Sequence, residues 1–388
     1  MSFNYERDLS VKLGAYPVEA ITSVTSVSIE HGFDTTQGLL PLIELPSATI
    51  TLRGSTFDPV NNSTIRPNAP VLISVATPYK NPSWGTNKVI LFKGWIDEVT
   101  VNYDSQGAAE ITLSCYNVIK RLMSVKIDSA TYIQQPAQTR FGVLRSAAAV
   151  VYSDIPGVAN YGTARSSMPA KTVDSTTTGE QIQGVLDAEA ALTYVDYLLD
   201  NISYVNRSAL TIPSGAASPN WTNFSTVHNS SALHYCINDI DVTFETTNQV
   251  NWVDASLTWD PTTHINPNTY APCKNTTSIT KYGVVPENIA LDLTRPSGNP
   301  NQYLKAWVDD LNLVRPERRV KRVSSTPITS DGYVKGNLVD PSYAFANPLY
   351  VTVIRGSYSI SEAYFTSKIR HEISPETWTT EYELWRGL

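Results

Sequence analysis

Alternation with a period of two runs through both ends of this chain and restricts its possible folds more than any other feature. Ala48, Ile50 and Leu52 alternate with Ser47, Thr49, Thr51 and Arg53, the pattern of a strand with one buried face. Val71–Val75 follows the turn-forming run Arg66-Pro67-Asn68-Ala69-Pro70, and Val89–Val101 is rich in β-branched and aromatic residues. Asp104–Gly107 then reads as a turn, with Ile111, Leu113 and Cys115 alternating on the returning strand. Strands at short, regular spacing predict a small antiparallel barrel or sandwich over about residues 20–120. The last forty or so residues return to the same alternation. Leu349–Ile354 is one strand, and in another Trp378, Thr380, Tyr382 and Leu384 alternate with Thr379, Glu381, Glu383 and Trp385.

Between these ends the period changes. Phe141–Tyr152 is Ala-rich and helical in propensity. Thr178 and Gln181 have the spacing of a capping box, after which Ile182, Val185, Leu186, Leu192, Val195 and Leu199 form an apolar face at helical spacing. Asn206–Ser230, rich in Ser, Asn, Pro and Gly, reads as a surface loop or domain border. Strands resume at Ile237–Phe244 and Val250–Trp259. Asn299 as N-cap, Pro300 at the first helical position and Gln302 then predict a helix carrying Tyr303, Leu304, Trp307, Val308 and Leu311 on one face, ended by Pro316.

The two strand-rich ends resemble each other. Asn68–Val75 matches Asn347–Val353, and Phe92, Ile96 and Val99 match Phe365, Ile369 and Ile373. Two related barrels in one chain explain this; a chance likeness between amphipathic strands is the competing explanation.

Composition narrows the function. With 388 residues the chain exceeds what one compact core usually holds, so two to four subdomains are expected. Charged residues are only 17% of it, against roughly 25% in an average soluble domain. A polar, weakly charged surface lowers the desolvation cost of packing against other subunits, as an assembly component requires. The net charge of −7 argues against sequence-independent DNA binding. The one dense basic run, Arg318, Arg319, Lys321 and Arg322, reads as a solvated face. Cys115, Cys236 and Cys273 lie too far apart for a zinc motif or a disulfide framework, so free thiols made in a reducing cytoplasm are expected. Met1–Asp8 has no apolar signal core, and no apolar run approaches the roughly 20 residues that span a bilayer.

No motif for catalysis stands out. Gly-rich phosphate loops and the nucleophile elbow are missing. His31, His228, His234, His264 and His371 have no metal-ligand spacing, and His371-Glu372 runs into Ile373-Ser374-Pro375 rather than a helical zinc motif. Asp97-Glu98 offers the paired carboxylates of a glycosidase, but neighbours on a strand face opposite ways, so a surface acid is the better reading. The tryptophans Trp84, Trp95, Trp221, Trp252, Trp259, Trp307, Trp378 and Trp385 would suit sugar binding, and equally fill cores and interfaces. No catalytic, cofactor or metal residue is assigned.

Several segments resemble tail proteins of siphophages. Val24–Phe33, Pro46–Leu52, Phe57-Asp58-Pro59 and Arg66-Pro67-Asn68 are similar to the opening of many phage minor tail proteins. Leu91–Val99 and Ile111–Tyr116 resemble their next two strands, and Ile237–Val242 and Ser278–Gly283 resemble second-half signatures. The ending, Ile369–Thr380, is similar to the pattern I-x-H-x-I-x-P-x-x-W-x-T that closes many siphophage hub proteins. The likeness runs from about residue 20 to the end and is thin over about 125–230.

The resemblance implies a tail hub related to the baseplate hub of contractile tails and the base of type VI spikes. Its fold would be mainly β with α/β inserts: two tail-tube-type antiparallel β-barrels joined by two small insert domains. The boundaries are then 1–123 for the first barrel, 124–230 for an α/β insert, 231–262 with 346–388 for the second barrel, and 263–345 for the second insert. Such hubs are homotrimers whose six barrels dock a sixfold tail tube or distal tail ring. Implied partners are the distal tail protein or tube ring, the tape measure protein and tip fibres or a spike, with DNA only in transit through the lumen. The implied place is the virion tail tip. Because the sequence ends at Leu388, just after the last barrel strand, receptor binding and wall cleavage are expected of other proteins. The alternatives are a hexameric distal tail protein, a carbohydrate-binding module and, more remotely, a glycoside hydrolase.

Overall fold

The computed structural model describes residues 5–15, 18–34, 40–77, 88–162, 167–206, 222–225, 234–236, 238–244, 250–257, 273–274, 276–291, 318–328, 334, 336–355 and 358–385. The fold is mainly β with few helices, built on a fifteen-stranded sheet of half-barrel form.

Two runs of strands in this sheet have the same topology. In the first, Val24–Asp34 pairs with Ser47–Arg53, which pairs with Ala109–Asn117, then Lys88–Tyr103, then Pro70–Ala76, all antiparallel. In the second, the lateral order is Asp239–Phe244, Arg318–Ser325, Trp378–Trp385, Tyr358–Ile373 and Leu349–Arg355, again antiparallel. Counted along the chain, both runs place their strands in the order first, second, fifth, fourth, third. The Arg318–Ser325 strand lies in the segment that sequence assigned to the second insert, yet its hydrogen bonds make it a member of this run.

A matching β-bulge fixes how the two runs align. Asp97 is skipped where Lys88–Tyr103 pairs with Ala109–Asn117, and Ser367 is skipped where Tyr358–Ile373 pairs with Trp378–Trp385. Both long strands have 16 residues. Trp95 therefore corresponds to Phe365, Asp97 to Ser367 and Val99 to Ile369. The sequence match of Phe92 to Phe365 is out of register by three positions, because each bulge, at Leu91, Asp97 and Ser367, shifts the phase of the alternation by one and leaves no mark in the sequence. The match of Asn68–Val75 to Asn347–Val353 does pair equivalent strands.

The runs are fused edge to edge. Val27–Gly32 of the first pairs antiparallel with Lys368–Ile373 of the second. One hydrophobic core extends through both, from Val27, Ile50 and Leu113 to Val323, Ile369 and Tyr382.

A second core, around Phe141, Leu144, Ile182, Val185 and Tyr204, belongs to an α/β unit. The helices Ala137–Val151 and Thr178–Glu189 accompany a three-stranded sheet in which Asn201–Val205 lies between parallel Gly157–Tyr161 and antiparallel Leu192–Asp196. The first helix starts four residues before Phe141, directly after Pro136. The capping box of the second is formed by Thr177 and Glu180, one position earlier than the sequence pairing of Thr178 with Gln181. Thr178 is buried and donates its hydroxyl to the Leu122 carbonyl instead. The helical face expected to continue to Leu199 stops at Glu189. Ala190 turns left-handed at φ 44°, and Leu192–Asp196 runs on as a wholly buried strand. Thr193, Tyr194 and Val195 are β-branched or aromatic, and burial on both faces removes the alternation that would have marked them as a strand. The helix expected after Asn299 and much of the Asn206–Ser230 loop lie outside the described residues. No helix among the described residues is long and apolar enough to cross a membrane.

Candidate functional site

Asp97 and Glu98 do not form an acid pair. The bulge breaks the strand alternation there, so both side chains are exposed, and Asp97 is 2.7 Å from Lys120. Among the described residues no group of three or more His, Cys, Asp or Glu gathers as metal ligands would. Cys115 is a buried free thiol. Arg322, from the basic run, is tied to Asp239, Asp241 and Glu381 on a partly exposed strand face. Trp95 lies under the Arg121 guanidinium at 3.5 Å, Trp252 under Lys274 at 3.6 Å, and Trp378 is buried. Trp84, Trp221, Trp259 and Trp307 fall outside the described residues, as do His228 and His264.

One buried acid was not signalled as a site. Asp340 is buried and its carboxyl is pushed up to about 6, first by desolvation and further by the charge of Asp196. Both acids serve the backbone: Asp340 accepts from Ser342 N at 2.9 Å to cap the Pro341–Ala346 helix, and Asp196 accepts from Leu198 N and Leu199 N. The Asp-Pro-Ser start is an N-cap signal that sequence could have supplied. A cavity of about 350 Å³ beside Asp340 is lined by Lys12, Leu72, Ser74, Lys88, Val89 and Tyr197. Its polar groups come from three strands (Lys12, Ser74 and Lys88), a turn (Tyr197) and the Asp340 helix cap.

What the fold does build with care is the edge-to-edge join. Its inward-facing side chains, Val27, Ile29, Ile369, His371 and Ile373, are at most 2% exposed. On the outer face Ser28 donates its hydroxyl to Glu372 at 2.8 Å, and Arg370 reaches the same carboxylate at 2.7 Å. Lys368 bridges Glu44 at 2.6 Å and Glu30 at 3.4 Å. Two histidines are sealed beneath. The His31 ring shares a 2.9 Å hydrogen bond between Nε2 and the Leu91 carbonyl, with Tyr197 set edge-on to it. His371 Nδ1 is 3.0 Å from the Thr380 hydroxyl, and its ring stands edge-on to Trp378. Burial lowers His31 to about 4, its carbonyl partner opposing the shift. Burial, with the nearby His31, lowers His371 to about 3.

These contacts explain the closing sequence pattern in physical terms. Ile369 and Ile373 fill the core, His371, Trp378 and Thr380 pack and bond together, and Ser374–Thr377 closes the hairpin through a 2.8 Å backbone hydrogen bond.

No protein-family model and no curated protein matches the chain. Solved structures do. The tail protein from Neisseria meningitidis MC58 superposes with a TM-score of 0.60 at 15% identity, over 97% of this chain and 95% of its own. The 43 kDa tail protein of prophage MuSo2 from Shewanella oneidensis gives 0.60 at 11%, over 98% of both chains. The chain shares its fold with phage tail proteins. An E. coli component of the type VI secretion system, itself structurally similar to T4 bacteriophage tail proteins, matches with a TM-score of 0.50 at 9% identity, over 97% of this chain and 77% of that one. At such identities the common property is the path of the backbone.

Proposed function

We propose that the chain is a structural, non-enzymatic hub of a phage tail tip, built from two tail-tube-type barrels with α/β inserts, and that it works as a homotrimer. The observation that carries this reading is the duplication: two strand runs of identical lateral order with matching bulges in one polypeptide. Three copies then present six equivalent units, which lets a threefold hub dock a sixfold tube or distal ring. The partners that follow are a distal tail protein or tube ring on one side, tip fibres or a spike on the other, and the tape measure protein within. The trimer closes the tube end and opens for DNA on host binding. With a net charge of −7, the chain is compatible with a lumen that lets phosphates slide past rather than holding them.

A hexameric distal tail protein is the second reading; a single tube-type unit per chain would suit it better than the duplication does. Light scattering over a range of concentrations separates the two. The hub reading expects a particle of three times the 42.7 kDa chain mass. Six times that mass favours the distal ring. One chain mass at every concentration, with binding on a glycan array, favours a carbohydrate-binding module.

A further inference from the structure

The cavity beside Asp340 lies against the outward face of the first strand run. Leu9–Leu13, Pro70–Ala76 and Lys88–Tyr103 pair side by side there. Val71, Ile73 and Val75 turn into the core and are fully buried, so Leu72, Ser74 and Ala76 turn the other way. The turn after Leu192–Asp196 reaches over this outward face: Lys93 bridges Asp200 at 2.8 Å, and Tyr197 and Leu198 add to the cavity wall.

The register of the strands gathers three polar side chains on that face. Lys12 lies opposite Leu72 and Lys88 opposite Ala76, so each is diagonal to Ser74, one on either side. Diagonal neighbours in an antiparallel sheet are about 7–8 Å apart, within reach of a lysine side chain. Ser74 is 6% exposed and lines the cavity. Among the described residues its hydroxyl has no hydrogen-bond partner, whereas buried polar atoms as a rule have one. Lys12 makes no ion pair with any described residue. Asp340 also lines the cavity, but its carboxylate accepts from Ser342 N at 2.9 Å at the start of its own helix. Two ammonium groups against one engaged carboxylate leave the lining positive.

The rest of the lining is largely apolar, with Leu72, Ile90 and Leu198. Leu198 remains 39% exposed, so the cavity opens to solvent there. The strands beneath it spend their backbone N–H and C=O groups on one another. A peptide laid on this face would find no strand edge to pair with, and burying its own backbone unpaired is costly. An aliphatic chain has no such groups to satisfy. The cavity of about 350 Å³ takes about a dozen water-sized groups at roughly 30 Å³ each, which is one chain and not the two of a phospholipid.

We propose that this cavity binds a single-chain fatty acid of about ten to twelve carbons, its carboxylate over Ser74 between Lys12 and Lys88 and its chain along Leu72, Ile90 and Leu198. The Ser74 hydroxyl donates to one carboxylate oxygen, and the two ammonium groups balance the charge. The site belongs to the outward face of the first strand run and stands whether or not copies of the chain assemble.

Isothermal titration calorimetry of the delipidated full chain with sodium dodecanoate, below its micelle concentration, is expected to show saturable micromolar binding of one dodecanoate per chain. Dodecyltrimethylammonium, with the same chain and the opposite charge, should bind roughly tenfold more weakly or worse. Acetate, the head group without the chain, should give no measurable heat. Lys12→Gln, at a partly exposed position, should keep the parent circular dichroism spectrum and weaken dodecanoate about tenfold, the size of one charged hydrogen bond. Leu198→Glu, in the exposed turn, should do the same by placing a like charge beside the chain. Dodecanoate that gives no saturable heat would overturn the site, as would equal affinity for the two head groups or full affinity in both K12Q and L198E. Binding of phosphatidylglycerol vesicles in place of dodecanoate would overturn it in favour of a membrane surface.

Discussion

Gly32→Ala is expected to cost about 3 kcal/mol or more and to lower the melting temperature by roughly 4 °C or more in calorimetry. Gly32 sits at the end of the join, opposite Lys368, with φ +154°. A Cβ there would lie 2.3 Å from the Ser367 carbonyl oxygen and 2.7 Å from Lys368 Cα. Both are backbone atoms of the bulge, so no side-chain rotation relieves the clash; the strands must part or the bulge must move. Gly54→Ala is the matched control. Gly54 also has a left-handed φ, +123°, but nothing lies within 4 Å of its added Cβ. It should lose only the backbone contribution, on the order of 1 kcal/mol. Equal effects at the two sites would show that the strand runs are not fused as described.

Acid should open the same join. His31 and His371 are held neutral in the folded chain with pKa values of about 4 and about 3, against the ordinary 6.5. Lowered values mean that the unfolded chain binds protons first. The stability these rings contribute is therefore whole above about pH 6.5 and declines as pH falls toward 4 and below. Each tenfold loss of proton affinity is worth about 1.4 kcal/mol, so several kcal/mol are at stake across the two sites. Asp340 acts the other way: its raised value of about 6 contributes stability below the ordinary carboxylate range that is lost as pH rises through 6. It offsets part of the histidine effect but is displaced by less than either ring. Urea titrations from pH 7.5 to 4 should show falling stability, and the slope should flatten in His31→Gln and His371→Gln. A parent chain equally stable at pH 7 and pH 4.5 would contradict the buried, neutral rings.

The strands were the legible part of this sequence, and the reason is burial on one face. Ser47–Arg53 and Trp378–Trp385 alternate strictly between buried and less buried positions, so period two is written in their residues. Leu192–Asp196 is buried throughout and carries no such signal. The bulges at Asp97 and Ser367 were invisible, since a skipped residue has no characteristic side chain; this misplaced the register of the repeat and made Asp97 and Glu98 look as if they faced opposite ways. Gly32 and Asp340 show the same limit from another side. A glycine demanded by a backbone 335 residues further on, at Ser367, leaves no local trace, and the unusual acidity of Asp340 comes from desolvation by residues distant in sequence. The join is a tertiary feature made of ordinary strand sequences, so only its members, not their meeting, could be read.

The central claim is that one chain supplies two equivalent ring units and that three copies make one ring. The measurement that tests it most directly is a single-particle image of the assembled protein at a resolution that separates strands. The account expects three chains in a ring of six similar barrels. A ring of six chains, or one in which each chain contributes a single barrel, would contradict it.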